Sequence, residues 1–240
     1  MQMKLQKRFS TGLSFLVAYT LSKAITDTDQ GGYSAFTSAG RDNAQRQLEK
    51  ALAPGDRTHN LVASFVYELP GRNLTGAAGA LAKGWSVSGI ARYLSGTPIG
   101  VGGGPALPIF GGGNRPNRVA GVDASSGADV GNFDPARDIF LNLAAFAQPA
   151  PFTIGNAPRF EPNLRGFATL NENFSIIKRT YINSIREGLN VEIRGEFFNA
   201  FNRVVFSNPS ADFNSPANFG RVGGQANQPR IIQLALRVNF

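Results

Sequence analysis

The sequence lacks the residues on which many enzymes and metal proteins depend. Its 240 residues contain no cysteine and a single histidine, His59. Without cysteine there is no disulfide framework, thiolate metal site or cysteine nucleophile, and one histidine excludes a histidine cluster around a metal ion. No apolar run approaches the ~20 residues of a membrane-spanning helix, which excludes helical membrane proteins. We therefore expect no enzyme, no catalytic residue, no metal site and no cofactor.

Glycine and proline are abundant instead, with 28 and 14 residues. A helical bundle is excluded, because each interior glycine costs about 1 kcal/mol and each proline about 3 kcal/mol in a helix. The pattern that recurs is alternation of apolar and polar residues, which is typical of β-strands. It is clearest in Ile232–Phe240. We predict an all-β, antiparallel chain with six strands of about ten residues, at 13–22, 60–69, 85–94, 168–177, 189–198 and 232–240.

The connections between these strands alternate between long and short. Residues 23–59, 95–167 and 202–230 are long connections, whereas 70–84 and 179–188 are short. Long loops are uncommon in compact soluble domains. Transmembrane barrels, by contrast, have short periplasmic turns and long extracellular loops.

The alternation is compatible with two kinds of protein. In a soluble β-sandwich the apolar faces of two sheets meet in a core, whereas in an outer-membrane barrel the apolar face meets lipid. Strands of about ten residues match a tilted membrane crossing, because strands of soluble proteins usually have about five or six residues. Strand length therefore favours the barrel, and a secreted sandwich that serves as a binding or adhesion module stays as the alternative.

Polar and aromatic side chains also fit a transmembrane barrel. A water-filled lumen tolerates charges and amides on one face of a strand, and the last two strands present five candidate lumen-lining residues: Glu192, Arg194, Glu196, Gln233 and Arg237. Aromatic residues gather near strand ends, where the membrane interface has its aromatic girdles: Tyr19, Tyr67, Trp85, Tyr93 and Phe240.

Positive charge is concentrated at one predicted end of the strands. If the last strand ends in the periplasm, the periplasmic side holds one acidic residue, Glu187, and eight basic residues: Lys4, Lys7, Arg8, Arg72, Lys83, Lys178, Arg179 and Arg186. The resulting +7 accounts for most of the formal net charge of +8. A nucleic-acid interface would place cations on one face among aromatic residues, so we expect no nucleic-acid partner.

Two features resemble functional motifs of other protein classes. His59 follows Asp56, but no serine lies in a nucleophile-elbow context, so we expect a polar contact at the start of a strand. The glycine clusters 102–104 and 111–113 lack the Lys-Ser/Thr that follows a phosphate-binding loop. We expect both clusters to be flexible loop.

Five segments resemble the barrel of Oar-like TonB-dependent transporters, in the order of that family. Each is a strand with its flanking residues: FSTGLSFLVAYTLSK (9–23), DRTHNLVASFVYELPG (56–71), GWSVSGIARYLSGTPI (84–99), RGEFFNAFNRVVF (194–206) and IQLALRVNF (232–240). The resemblance implies a 22-stranded barrel in the cell outer membrane with an N-terminal plug. Such a transporter takes up a ligand with energy from an inner-membrane TonB complex.

With six strands, the chain is shorter than such a barrel. We expect residues 1–240 to be the C-terminal part of the barrel, with the plug and the N-terminal strands absent. The resemblance implies four partners: outer-membrane lipid, the rest of the barrel and plug, the TonB complex (through the missing N-terminal part) and the barrel assembly machinery. Phe240 would be the C-terminal signal for that machinery.

Overall fold

A computed structural model describes residues 1–27, 47–71, 76–105 and 114–240. The strands are β1 (Gln2–Ser10), β2 (Leu13–Leu21), β3 (Ile25–Thr26), β4 (Ala51–Leu52), β5 (His59–Glu68), β6 (Trp85–Leu94), β7 (Asn117–Arg118), β8 (Phe146–Ala147), β9 (Thr169–Tyr181), β10 (Asn190–Phe198) and β11 (Ile231–Asn239). Seven of them form one antiparallel sheet in the order β1-β2-β5-β6-β9-β10-β11. The short strands pair as β3-β4 and β7-β8.

All six predicted strands are present in the seven-stranded sheet, which confirms the antiparallel all-β architecture. Strands that follow one another along the chain are also neighbours in the sheet, as in an up-and-down barrel. The largest shift in bounds is in β9, which continues to Tyr181 and has 13 residues. Long strands joined in chain order are the arrangement that a membrane-spanning barrel needs.

The prediction of six strands was wrong by one, because β1 was missed. Residues 2–10 contain two apolar residues in alternation, Met3 and Leu5, before Lys7 and Arg8 interrupt the pattern. The strand forms because it pairs with β2 from Gln2↔Thr20 to Ser10↔Leu13. Thr11 and Gly12 both have positive φ, 52° and 79°, as a two-residue hairpin turn whose twist matches the strands requires.

The two ends of the sheet differ in the connections that they carry. At the turn end are the β1–β2 hairpin turn and the connections from β5 to β6 and from β9 to β10. At the loop end are the connections from β2 to β5, from β6 to β9 and from β10 to β11. The short connection 69–84 includes the helix α1 (Gly76–Ala82). Among the described residues, no helix is long and apolar enough to cross a membrane.

The predicted concentration of basic residues at the turn end needs correction at one position. Lys4 lies within β1 opposite Ala18, towards the loop end. The sequence placed it at a strand end because β1 was missed. Lys178 and Arg179 belong to β9 rather than to a turn, but they lie near the turn end, where Lys178 pairs with Trp85, the first residue of β6. Arg72 lies outside the described residues.

The connections at the loop end pack together into one body, here called the loop cap (residues 22–27, 47–58, 95–105, 114–168 and 199–230). Its buried hydrophobic cluster draws on several of these segments. Aromatic rings dominate it: Phe133, Phe140 and Phe206 surround Phe167, with ring centroids 5.0 to 5.2 Å from the ring of Phe167. Edge-to-face and tilted pairs at this distance stabilise a core beyond the area they bury.

Ion pairs connect the segments of the loop cap. Arg115 makes a bidentate pair with Glu49, at 2.9 and 3.0 Å. Arg165 contacts the buried carboxylate of Asp56 at 2.5 Å. Both pairs join residues 47–58 to residues 114–168, and bidentate arginine–carboxylate pairs fix geometry as well as adding energy. The long connections are therefore held against one another.

The glycine cluster 102–104 is packed, contrary to the expectation of a flexible loop. The N–H of Gly102 donates to Ala211 O at 3.0 Å, and the N–H of Phe213 donates to Gly102 O at 2.9 Å. Gly103 has a φ of 89°, and a Cβ there would lie 2.9 Å from the backbone N of Asn214. Glycine is needed here because two backbones approach closely. The cluster 111–113 lies outside the described residues.

Candidate functional site

The seven-stranded sheet has two chemically different faces. The apolar face carries mainly aliphatic and aromatic residues, and one register row across it reads Phe15, Phe65, Gly89, Phe174 and Phe197. The polar face carries mainly hydroxyl, amide and charged residues, and one row across it reads Ser88, Ser175, Glu196 and Gln233. Alternation along each strand produces this division, because successive side chains point to opposite faces.

Burial on β10 is opposite to that of a water-soluble sheet. Ile193, on the apolar face, is 55% exposed, whereas the adjacent Glu192, on the polar face, is 4% exposed. Both neighbouring strands pair with β10, so its exposure does not come from a sheet edge. Exposed aliphatic side chains on an interior strand are stable where lipid covers them, and charges are stable where water or other charges reach them.

The candidate lumen-lining residues lie together on the polar face. Glu192 is contacted by Arg179 at 2.6 Å and by Arg194 at 2.8 Å. Arg194 also reaches Glu196, at 3.4 Å. These four residues form a charge ladder along β9 and β10, in which positive and negative groups alternate. Mutual pairing keeps the buried carboxylate of Glu192 compensated.

The remaining two candidates extend this polar face onto β11. Arg237 stands opposite Glu192 in the β10–β11 register, and Gln233 stands opposite Glu196. Both side chains are exposed, because β11 is an edge strand. The structure therefore brings all five candidate residues to one face of the last two strands. Phe240 follows β11 at the turn end and is 86% exposed.

A second charged site interrupts the apolar face near the loop end. Glu172 is 2% exposed and accepts hydrogen bonds from Arg203 Nε at 2.9 Å and from Tyr93 Oη at 2.8 Å. The hydrogen bond to Glu172 raises the pKa of Arg203. Phe201 packs on Phe174 with ring centroids 5.8 Å apart. Residues 199–203 thus fold back over the apolar face and anchor the loop cap to it.

Glu172 lies within a predicted strand, 168–177, but its partner Arg203 was not predicted. Arg203 lies beyond the end of β10, where the period-two pattern has stopped. The sequence signal for this anchor is the pair of asparagines at 199 and 202. In the structure both have a positive φ, 48° at Asn199 and 52° at Asn202. Asparagine tolerates this conformation better than most residues, and both asparagines belong to the segment 194–206 quoted above.

His59 makes the polar contact expected at the start of a strand. Its Nδ1 lies 2.7 Å from Tyr19 Oη on the neighbouring strand, and the two rings stack. Asp56 does not contact His59, because its carboxylate binds Arg165 and the N–H of Ala24. The histidine and the aspartate therefore do not form a dyad.

Carboxylates in the loop cap have structural partners. Hydrogen bonds from Asn132 and from the N–H of Gly131 lower the pKa of Asp129, and hydrogen bonds from Ala136 N–H and Arg137 lower the pKa of Asp134. Burial raises the pKa of Glu161, against the opposing effect of Arg118. No group of three or more acidic or histidine side chains suited to a metal ion occurs in the described part of the chain.

The chain belongs to the family described as outer membrane beta barrel domain, which it matches over residues 1–233. Comparisons with curated proteins and with solved structures gave no match. The protein is accordingly an outer-membrane β-barrel protein, located in the outer membrane. The family membership favours the membrane barrel over the soluble sandwich, and it agrees with the exposed apolar face of the sheet.

Proposed function

We propose that this chain is the C-terminal barrel portion of an Oar-like TonB-dependent transporter, and that it contributes strands and extracellular loops to ligand uptake. It acts without enzymatic activity or a cofactor of its own. The polar face lines the lumen, the apolar face contacts lipid, and the turn end lies in the periplasm. The exposed Ile193 beside the buried Glu192 is the observation that carries the assignment of the two faces, and the short connections at the turn end support its periplasmic placement.

The open sheet supports a larger barrel. Among the described residues, β1 and β11 each pair on one side, so two strand edges remain open. Lipid cannot satisfy the N–H and C=O groups of such an edge, and single-chain bacterial barrels have at least eight strands. Further strands of the same barrel are the occupants that we propose for both edges. The plug and the contact with the TonB complex belong to the remaining part of such a protein.

The segments that resemble the Oar-like family have definite structural positions, which supports the closer assignment. Residues 56–59 lead into β5, and their Asp56 holds the loop cap through Arg165. Residues 194–206 include Arg194 and Glu196 of the charge ladder and the Arg203 anchor. The charged residues Asp56 and Arg203 in these segments therefore have structural partners, Arg165 and Glu172.

We assign the charge ladder to the wall of the ligand path. Glu192, Arg194 and Glu196, with Gln233 and Arg237 beside them, present both signs of charge to the lumen. A wall of alternating charge hydrogen-bonds many polar ligands but does not select ions of one sign. Phe240 is exposed at the turn end, and this position supports its proposed role as the C-terminal signal for the assembly machinery.

The reading frame upstream of Met1 provides the first test. The proposal predicts an open frame that encodes further alternating strands and a plug, and a stop codon directly upstream of a genuine start would contradict it. The biochemical test is binding of the periplasmic domain of TonB, in isolated outer membranes, to the longer protein that this open frame would encode. Deletion of Phe240 is the assembly control, because it should lower the amount of folded barrel without changing TonB binding per folded molecule.

A further inference from the structure

A cavity of about 560 Å³ lies at the turn end of the sheet. It is enclosed by α1, by the end of β5, by the start of β6 and by the end of β9. Three cationic side chains line it, Lys83, Lys178 and Arg179. Arg179 is the one residue of the charge ladder that lines the cavity, and the cavity lining includes no residue of the loop cap.

Lys178 and Trp85 form the part of the cavity wall that belongs to the apolar face. They are register partners on β9 and β6, and the Lys178 Nζ lies 5.7 Å from the centre of the indole ring. Lys178 Nζ donates to Leu81 O at 3.2 Å and to Lys83 O, and Trp85 Nε1 donates to Leu81 O at 2.7 Å. These bonds hold the end of α1 but leave the ammonium charge in place, since carbonyls carry no net charge.

The other charged residues that line the cavity, Glu68 and Arg179, belong to the polar face of the sheet. Glu68 lines the cavity, but it is the register partner of Ser86 on the polar face. Arg179 is also on the polar face, where Glu192 binds it at 2.6 Å. Lys178 therefore brings positive charge to the apolar face of the cavity, and the exposed Lys83, which directly follows α1, adds a second positive charge to the lining.

Exposed apolar side chains lie in and beside this cavity. Leu69 and Trp85 line it and are 39% and 36% exposed. Leu81, whose carbonyl accepts from Trp85 and Lys178, lies beside it and is 75% exposed. Tryptophan and lysine are the residues that place an amphipathic side chain at the level of lipid headgroups. A site for a free anion has no need of exposed leucines, whereas a lipid brings acyl chains that cover them.

We propose that this cavity binds the phosphate group of an anionic phospholipid of the periplasmic leaflet. Lys83 and Lys178 contact the phosphate, and the acyl chains lie over Leu81, Trp85 and the apolar face of β6 and β9. The orientation is that of the proposed function, with the turn end in the periplasm. Basic pockets beside membrane-spanning segments are known to hold anionic headgroups. The bound lipid would fix α1 at the membrane surface.

The test uses the protein purified from outer membranes and placed in phosphatidylethanolamine nanodiscs, with or without phosphatidylglycerol. Native mass spectrometry after release from the nanodisc counts the lipids that stay bound. We expect the wild-type protein to retain phosphatidylglycerol over phosphatidylethanolamine. Lys83→Gln should weaken that retention about fivefold, since one lysine near a lipid surface has an effect of that order.

Two comparisons make the result specific to the cavity. Arg186→Gln removes one positive charge at the same end but outside the cavity, and it should leave phosphatidylglycerol retention unchanged. Lys178→Gln should weaken retention as Lys83→Gln does, and circular dichroism shows whether that variant still folds. Inorganic phosphate at millimolar concentration should not displace the lipid.

Three results would overturn the proposal. They are equal retention of both lipids, an equal loss in Arg186→Gln and Lys83→Gln, and displacement of the lipid by inorganic phosphate, which would assign the cavity to a soluble anion. Ligand uptake and TonB binding are not read out in this experiment. Its failure is therefore distinguishable from failure of the proposed transport function.

Discussion

Replacement of Leu236 by arginine tests the assignment of the apolar face to lipid. Leu236 lies on the apolar face of β11 opposite Ile193, and it is 69% exposed. In a soluble protein, an exposed leucine on an edge strand tolerates a charge with an effect within about 0.5 kcal/mol. In a barrel, the same side chain would carry the charge into hydrocarbon.

The expected cost follows from the depth of this position in the membrane. Leu236 is one residue from the centre of Ile231–Asn239. With a rise of about 3.3 Å per residue and a tilt of about 45°, one residue corresponds to about 2.3 Å of depth. The apolar band of a barrel is about 25 Å tall, so position 236 is near the midplane, where arginine costs about 2–4 kcal/mol.

Arg237→Leu is the matched control on the opposite face of the same strand. Arg237 is opposite Glu192, which keeps its bonds to Arg179 and Arg194 when residue 237 changes. We expect the free energy of unfolding to change by less than about 1 kcal/mol. Urea unfolding in lipid vesicles, followed by tryptophan fluorescence, measures both variants. Equal losses at positions 236 and 237 would refute the assignment of the two faces.

Further predictions concern the loop cap. Glu172→Gln removes the charged partner of Arg203 and should destabilise that anchor by roughly 1–3 kcal/mol. Protease cleavage within residues 199–230 should then be faster than in the wild type, and an unchanged cleavage rate would contradict the prediction. The pKa values of Asp129 and Asp134 are lowered in the folded protein, so their stabilising effect is present above the ordinary aspartate pKa of 3.8 and is lost as pH falls through the lowered values. Hydrogen exchange of the backbone amides that these carboxylates bind should therefore rise only in that acidic range. Phe152 is 92% exposed with φ 59°, so Phe152→Gly should raise the stability of the cap by up to about 1 kcal/mol, and a measured loss would show that the ring makes a contact that matters.

Much of the sheet was predictable from the sequence because its physics is local. Six strands show enough alternation to be recognised, most regularly in β10 and β11, since each has one face in an apolar environment and one in a polar environment. β1 escaped prediction because Lys7 and Arg8 interrupt its alternation after Met3 and Leu5. Its pairing with β2 depends on a tight turn at Thr11-Gly12, a signal that period-two patterns do not include.

The charged sites were predictable only in part. Glu192, Arg194 and Glu196 lie on one strand, so their shared face follows directly from alternation. The pairing of Glu192 with Arg179 depends on the β9–β10 register, and the bond from Arg203 to Glu172 depends on a turn that reverses the chain. Contacts between segments distant in sequence require the fold itself.

The most direct test of the central claim is a scan of β10 with single cysteines in this cysteine-free chain. Spin labels at alternate positions in membrane-embedded protein report contact with oxygen, which concentrates in lipid, and with a water-soluble nickel complex. The account predicts high oxygen contact at Val191, Ile193 and Phe197 and high nickel contact at Asn190, Arg194 and Glu196. The opposite phase, or the absence of a period of two, would contradict a barrel wall with lipid on the apolar face and water on the polar face.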